Sequence, residues 1–234
     1  MIDRAIILAG GEGQRLRPYT DDKPKPMVEV AGKPIISYQL SQFTDAGVKE
    51  VVFACSYRRE VLEKHMGSGK SYGVKARFSI EENPLGRGGG IKQAMKQLEG
   101  NWKNVLITNG DNLWHVDLVK FIKMHEERDA LASIVVVPLK SPYGIVDFNK
   151  RKEVLGFREK PVLPYWINAG IYVFSREIEP MLPDIGDHET EMFPKLPKNR
   201  FLVFQSQDYW RGVDTVKDLA EAEKEVGEVF SSNT

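Results

Sequence analysis

Four short stretches of the chain are apolar at nearly every position and rich in β-branched residues: AIILAG (5–10), EVVFAC (50–55), NVLITNGD (104–111) and LASIVVVPL (131–139). A strand with one face in water alternates apolar and polar residues, whereas a strand buried on both faces reads as an unbroken apolar run. Helical periods separate these runs. Ile36, Leu40 and Phe43 share a face after Pro34, a favoured first-turn residue, and Gly47 is placed to end that helix. Ile91, Ala94, Met95 and Leu98 repeat the spacing, as do Leu118, Phe121, Ile122 and His125. This β-α-β-α-β-α-β order predicts an α/β fold, with a Rossmann-like, mixed but mostly parallel central sheet flanked by helices. After Pro138 the texture changes. YGIVDF, EVLGFRE and INAGIYVF read as strands with few helices between them, predicted to add antiparallel strands to the sheet and to cover one edge. A last helix is predicted from near Thr215, where TVKD makes a capping box and Leu219, Ala222 and Val226 supply a buried face. With no repeat, low-complexity tract or linker, residues 1–234 read as one domain, and the tail SSNT reads as frayed.

Composition narrows the classes of function. Lys+Arg and Asp+Glu are both 33, so the formal charge is zero and there is no electrostatic footprint for nucleic acid or an anionic membrane. The single cysteine, Cys55, excludes an intrachain disulfide, and its place in EVVFAC predicts a buried, inert thiol. No apolar run approaches membrane-spanning length, and Asp3 and Arg4 interrupt any signal-peptide pattern, so a soluble cytoplasmic protein is expected.

The segment LAGGEGQRLRPYTDDKPKPM (8–27) sets Gly10, Gly11 and Gly13 directly after the first predicted strand. Glycines let successive backbone N–H groups approach an anion, and the carboxyl edge of a parallel sheet is where ligands bind. The segment is not a Walker loop, because no Gly-Lys-Ser/Thr closes it, and Leu16 stands where the dinucleotide fingerprint needs a third glycine. Arg15 follows the loop at once. Lys25 is held between Pro24 and Pro26, which restrain its backbone. Two solvated surface cations would be the ordinary reading, but a lysine fixed by two prolines beside a phosphate cradle suits phosphoryl chemistry. Asp111, at the end of a predicted strand, is placed either to form a turn or to hold a hard cation such as Mg²⁺.

LAGGEGQRLRPYTDDKPKPMVEVAGKPI resembles the signature of the sugar-1-phosphate nucleotidylyltransferases, in the pattern Leu-Ala-Gly-Gly-x-Gly-x-Arg-Leu-x-Pro, then Pro-Lys-Pro, then Gly-Lys-Pro, with Gln14 where threonine is usual. The resemblance runs from Ile2 to about Ala222. It implies nucleotide contacts from Leu8, Ala9, Gly10, Gly11, Gly13 and Asn109, and base contacts from Glu82, Pro84 and Gly86 in ENPLGRGGGIKQA, where Gly88–Gly90 run into a helix N-terminus. It implies catalytic roles for Arg15, Lys25 and Lys160, the last in REKP. Gly144, Glu159 and Asn168 are implied to face the sugar, and Asp111 to carry Mg²⁺. One departure concerns the second metal ligand. The family pattern is Trp-x-Asp-Ile-Gly-Thr; YWRGVDTVKD puts Gly212 at the aspartate position and Asp214 two residues on, an ending that resembles the glucose-1-phosphate cytidylyltransferases. PLGRGGGI, by contrast, is more similar to the guanylyl- and uridylyltransferases.

The implied reaction joins a nucleoside triphosphate to a sugar-1-phosphate, giving a nucleotide sugar and pyrophosphate. The nucleophile is already an anion, so no general base is needed. The chain fits this, since no Ser-His-Asp or Cys-His arrangement stands out and His65, His115, His125 and His188 make no pair at metal-ligand spacing. A mannose-1-phosphate guanylyltransferase-like activity is the leading expectation, with cytidylyl- or thymidylyltransferase activity on glucose-1-phosphate as the alternative. A glycosyltransferase is disfavoured because Asn112 and Leu113 follow Asp111 in place of Asp-x-Asp. A silent nucleotide or sugar-phosphate sensor has only the Gly212/Asp214 exchange behind it. No left-handed β-helix extension is expected within these residues. Edge strands of the C-terminal half could pair in a homo-oligomer, though nothing in the sequence demands it.

Overall fold

The computed structural model of the chain describes residues 2–230. In chain order the elements are β1 (Arg4–Leu8), β2 (Glu29–Val30), β3 (Lys33–Pro34), α1 (Ile35–Asp45), β4 (Glu50–Cys55), α2 (Arg59–Met66), β5 (Lys75–Ile80) and α3 (Gly86–Met95). There follow β6 (Asn104–Asn109), β7 (Asn112–Trp114), α4 (Leu118–Glu127), β8 (Ala132–Lys140), β9 (Ile145–Phe148), β10 (Val154–Arg158) and β11 (Val162–Ser175). The chain ends through α5 (His188–Glu191), β12 (Phe201–Gln205), β13 (Trp210–Gly212) and α6 (Val216–Phe230). Seven strands form the main sheet in the order β12-β8-β11-β6-β1-β4-β5. All its pairings are parallel except those of β11, which runs antiparallel to both β6 and β8.

Side-chain alternation along the apolar runs explains why they are unbroken. Ile7, Val51 and Phe53 face the cluster under α1, α2 and α4, while Ile6, Val52 and Ile107 face the cluster under α3. Each strand therefore feeds two cores, and a polar residue on either face needs a buried partner, as Thr108 finds in Gln39 and Ser133 in His125. A third cluster packs α6 onto Leu16, Val28, Val30 and Val213. Its capping box forms: the Asp218 carboxylate accepts the Thr215 N–H at 2.8 Å, and Thr215 Oγ1 accepts the Asp218 N–H at 3.2 Å. Cys55 is buried, and burial, with Glu63 nearby, pushes its thiol up to about 12. Among the described residues no helix is long and apolar enough to cross a membrane.

Two expectations change in detail. The late strands do not cover an edge. β11 enters the sheet's interior, and β9 and β10 pair only with each other, as an antiparallel ribbon nested between β8 and β11. The reason lies in β11 itself: its residues from Ala169 onward are all buried, which an edge position would not allow, while most of its first half is exposed. Gly88–Gly90 of ENPLGRGGGIKQA also do not precede the helix. α3 starts at Gly86 and contains them. They are needed for close approach: a methyl group on Gly88 would lie 2.7 Å from the His188 nitrogen, one on Gly90 2.6 Å from Glu81 Oε1, and one on Gly89 would overlap the Asp184 carbonyl.

Glycine-to-alanine changes should therefore diverge in sign. Gly89→Ala should destabilise by about 1–3 kcal/mol through overpacking. Gly227→Ala, on α6 with nothing within 4 Å of its would-be methyl among the described residues, should stabilise by up to about 1 kcal/mol through helix propensity. Urea midpoints of the two variants check this. A pH dependence follows from two buried imidazoles. His125 bonds Ser133 Oγ at 2.8 Å, and His188 is enclosed by Tyr172, Phe174 and Phe193. Burial, with nearby cations second, pushes both down to about 4. Between pH 6.5 and 4 the unfolded chain takes up protons that the folded protein refuses. Stability is thus intact above 6.5 and falls as pH drops toward 4, by roughly 3 kcal/mol per ring. Replacing His188 with leucine should flatten the plot of urea midpoint against pH in that window.

Candidate active site

The carboxyl ends of β1, β4, β5 and β6 open onto a cavity of about 670 Å³. Leu8, Gly10 and Gly11 form one wall, Glu82, Pro84 and Gly86 part of the opposite wall, and Lys25, Asn109 and Asp111 also line it. Ala9 lies behind the wall, its N–H bonded to the Ala54 carbonyl at 2.7 Å. Gly13 lies outside the lining in a left-handed conformation (φ +62°), where a side chain would press on Thr20; its carbonyl accepts the Thr20 hydroxyl at 2.9 Å. Tyr57, at the cavity wall, ties down the same loop by donating to the Thr20 carbonyl at 3.1 Å.

Lys25 is the focus of the site. Pro24 and Pro26 bracket it in a single 3-10 turn, and it is only 7% exposed. Its Nζ donates to Asp111 Oδ2 at 2.6 Å and to Asp214 Oδ1 at 2.5 Å. Burial alone would pull the ammonium down, but the two carboxylates outweigh it and Lys25 sits above its ordinary value. Arg15, well exposed, reaches the same Asp214 oxygen at 3.4 Å. A turn, a strand pairing and a backbone hydrogen bond bring the aspartates together. β6 turns into β7 at Asp111, β13 pairs with β7 with Gly212 opposite Asn112, and the Val213 N–H donates to the Asp111 carbonyl at 3.3 Å. A methyl group on Gly212 would lie 3.8 Å from Asp214 Oδ2. The carboxylate two residues on thus lies beside the position it was expected to serve.

Several residues of the site carry no motif. Gln39 of α1 is fully buried; its Nε2 donates to the carbonyls of Asn109 (2.9 Å) and Asn112 (2.8 Å), and its Oε1 accepts from the Thr108 hydroxyl (2.8 Å). These bonds clamp the chain on both sides of Asp111. Glu81, one residue before Glu82, also lines the cavity. Its Oε2 accepts the Leu85 N–H at 3.2 Å, while Oε1 makes no hydrogen bond among the described residues. Burial pushes its carboxyl up, and the Leu85 N–H draws it part of the way back.

The expected sugar residues form a second group, outside the cavity lining. Gly144 packs against Phe157 and Glu159: a methyl group there would overlap the Phe157 ring and sit 3.0 Å from Glu159 Oε2. Lys160, in the turn between β10 and β11, has φ +44°, an uncommon conformation for a residue with a side chain, and its ammonium has no ion-pair partner among the described residues. Asn168 of β11 donates to Glu189 Oε1 and to the Tyr172 hydroxyl, both at 2.7 Å. Glu189 in turn pairs with Arg87 at 2.8 Å, and Arg87 lines the nucleotide-sized cavity. A polar chain therefore connects the two groups.

Fold and cleft define an α/β protein with a cavity at the carboxyl edge of a mostly parallel sheet, the usual place for a ligand in such folds. The nucleotidyl transferase family model matches residues 4–229, and the chain belongs to that family. It is 34% identical over 224 residues to a mannose-1-phosphate guanylyltransferase of Mycobacterium tuberculosis, covering 92% of this chain and 62% of that protein. The chain thus spans less than two thirds of the length of that relative. It is 31% identical to the D-glycero-alpha-D-manno-heptose 1-phosphate guanylyltransferase of Aneurinibacillus thermoaerophilus, covering 95% of this chain and 97% of that one. Among solved structures, HddC from Yersinia pseudotuberculosis superimposes with a TM-score of 0.76 at 30% identity, over 96% of this chain and 99% of that one. The same protein complexed with GMP-PN gives 0.75.

Gln39→Leu should be costly although it touches no cavity. It strands two carbonyls and a hydroxyl, each worth about 1–3 kcal/mol when buried unpaired. A drop of more than 2 kcal/mol in urea unfolding is the expected outcome; a variant as stable as the parent would remove Gln39 as the support of the Asp111 turn.

Proposed function

We propose that the protein is a sugar-1-phosphate guanylyltransferase, joining GTP to a manno-configured sugar-1-phosphate and releasing pyrophosphate. The observation that carries this reading is the buried Lys25 ammonium at the inner end of a glycine-walled cavity, between Asp111 and Asp214. In the reaction an oxygen of the sugar phosphate attacks the α-phosphorus of GTP. The new P–O bond forms as the bond to the β-phosphate oxygen breaks, and pyrophosphate leaves. The attacking oxygen carries its negative charge already, so no proton has to be removed. The barrier is the approach of two anions, each close pair of unit charges repelling by about 4 kcal/mol at an effective dielectric near 20. Catalysis then consists of placed positive charge and alignment.

The residues divide this work. Backbone N–H groups of the Gly10–Gly13 turn cradle the polyphosphate. Lys25 neutralises the α-phosphate, Arg15 takes up the leaving pyrophosphate, and Lys160 holds the attacking phosphate. Gly144, Glu159 and Asn168 take the sugar hydroxyls. Asp111 and Asp214 would hold Mg²⁺. The fit is that of a hard cation shared with substrate: both carboxylates reach one point, now marked by the lysine nitrogen, and among the described residues no cluster of three or more His, Cys, Asp or Glu forms a closed cage. When bound, the ion supplies further neutralisation of the phosphates.

Two observations favour guanine. The two relatives named above, each similar over more than nine tenths of this chain, are guanylyltransferases by name. Glu81 also places an ionisable carboxyl in the cavity wall with one oxygen uncommitted. Guanine presents two adjacent donors, N1–H and the 2-amino group, which match the two oxygens of a carboxylate; cytosine, uracil and thymine present only one on that edge. Both relatives act on manno-configured sugar phosphates by name, which supports the same sugar class here.

A panel of GTP, ATP, CTP, UTP and dTTP against mannose-, manno-heptose- and glucose-1-phosphate, read by pyrophosphate release, tests the reading. Turnover should be highest with GTP and a manno sugar. Lys25→Ala should lose about 10³-fold in kcat with its circular dichroism unchanged. Glu81→Gln should lose roughly 100-fold in kcat/KM for GTP. No pyrophosphate release from any pair would overturn the assignment.

A further inference from the structure

We propose that Lys25 is the resident counter-cation of the Asp111–Asp214 pair in the nucleotide-free protein, so that a divalent cation enters together with the nucleotide and not ahead of it. This rests on the reading that the two aspartates hold the metal. The argument is one of place and of charge. The Lys25 nitrogen lies 2.6 Å from Asp111 Oδ2 and 2.5 Å from Asp214 Oδ1. A cation bound to those same two oxygens would need the position the ammonium fills, so the two occupants exclude each other. The charge is balanced as well. Two carboxylates face Lys25 and, at 3.4 Å, Arg15, which leaves no net negative charge to draw a divalent ion out of water.

A polyphosphate changes that balance. It arrives beside the Gly10–Gly13 turn with several negative charges and offers both Lys25 and Arg15 new partners. Pro24 and Pro26 fix the lysine backbone, so the exchange is confined to the side-chain tip, which has four rotatable bonds to move through. The carboxylates then lose their ammonium as the cation becomes available with the nucleotide. Lys25 acts twice on this account: it keeps the free site closed to metal, and it neutralises phosphate once the metal has taken its place.

Mn²⁺ alone is the probe, titrated into the full chain without nucleotide or sugar phosphate and read by electron paramagnetic resonance. Wild-type protein should bind it weakly. Lys25→Met should bind it at least about tenfold more tightly, because the site then carries a net negative charge, and adding Asp111→Asn to that variant should abolish the gain. If Lys25→Met does not fold, Lys25→Gln serves, with a neutral amide that still donates to the carboxylates. Equal Mn²⁺ affinity in wild type and variant, with turnover still requiring metal, would overturn the exchange while leaving the metal assignment intact. Turnover of wild type in excess EDTA would overturn the metal assignment itself, and the exchange with it.

Discussion

The site depends on one buried charge. An ammonium that is 7% exposed would lose its proton or leave the interior if it were alone, because removing it from water is far costlier than any packing it gains. Asp111 and Asp214 reverse that balance, and the protonated state is held above its ordinary value. The same contact joins distant parts of the chain, since Asp111 and Asp214 lie 86 and 189 residues from Lys25. The Pro-Lys-Pro turn, the end of β6 and the connection from β13 to α6 meet at this nitrogen. Two prolines on one side and a glutamine clamp on the other keep the meeting point rigid. The prolines fix the root of this side chain, so on the proposed reading only its tip has to move when a phosphate arrives.

Much of the fold was legible because each signal was local or periodic. Unbroken apolar runs marked β1, β4, β6 and β8, and the Thr215–Asp218 box marked the start of α6. The interior place of β11 was not legible, because an apolar run states how much of a strand is buried but not which strands flank it. Gly88–Gly90 look like a loop entering a helix, yet Gly88 and Gly89 make room for the 183–188 segment, about a hundred residues away in the chain, and Gly90 makes room for Glu81. In the site, Lys25, Asp111 and Asp214 were found by motif or by its displacement. Gln39 was not, since a glutamine on an apolar helix face reads as an irregularity until the carbonyls it satisfies are seen. Glu81 and Glu82 are adjacent and chemically alike, and only the packing of Glu81 against α3 separates them.

The sheet explains why the two halves of the site are built so differently. The half around Lys25 rests on parallel strands with both faces buried, where a change on either face is felt in a core. The other half rests on the exposed first part of β11 and on the β9–β10 ribbon, whose residues are mostly exposed. A polar chain from Arg87 through Glu189 to Asn168 crosses from one to the other.

That nested ribbon joins the sheet where the Ser141 N–H meets the Pro161 carbonyl and Lys140 pairs with Val162. It can lengthen, shorten or change its surface without disturbing either hydrophobic core. Diversification over evolutionary time is therefore cheap on the ribbon side and expensive on the side of the Lys25 cavity. A lineage built on this scaffold is free to remodel the ribbon long before it can alter the parallel strands.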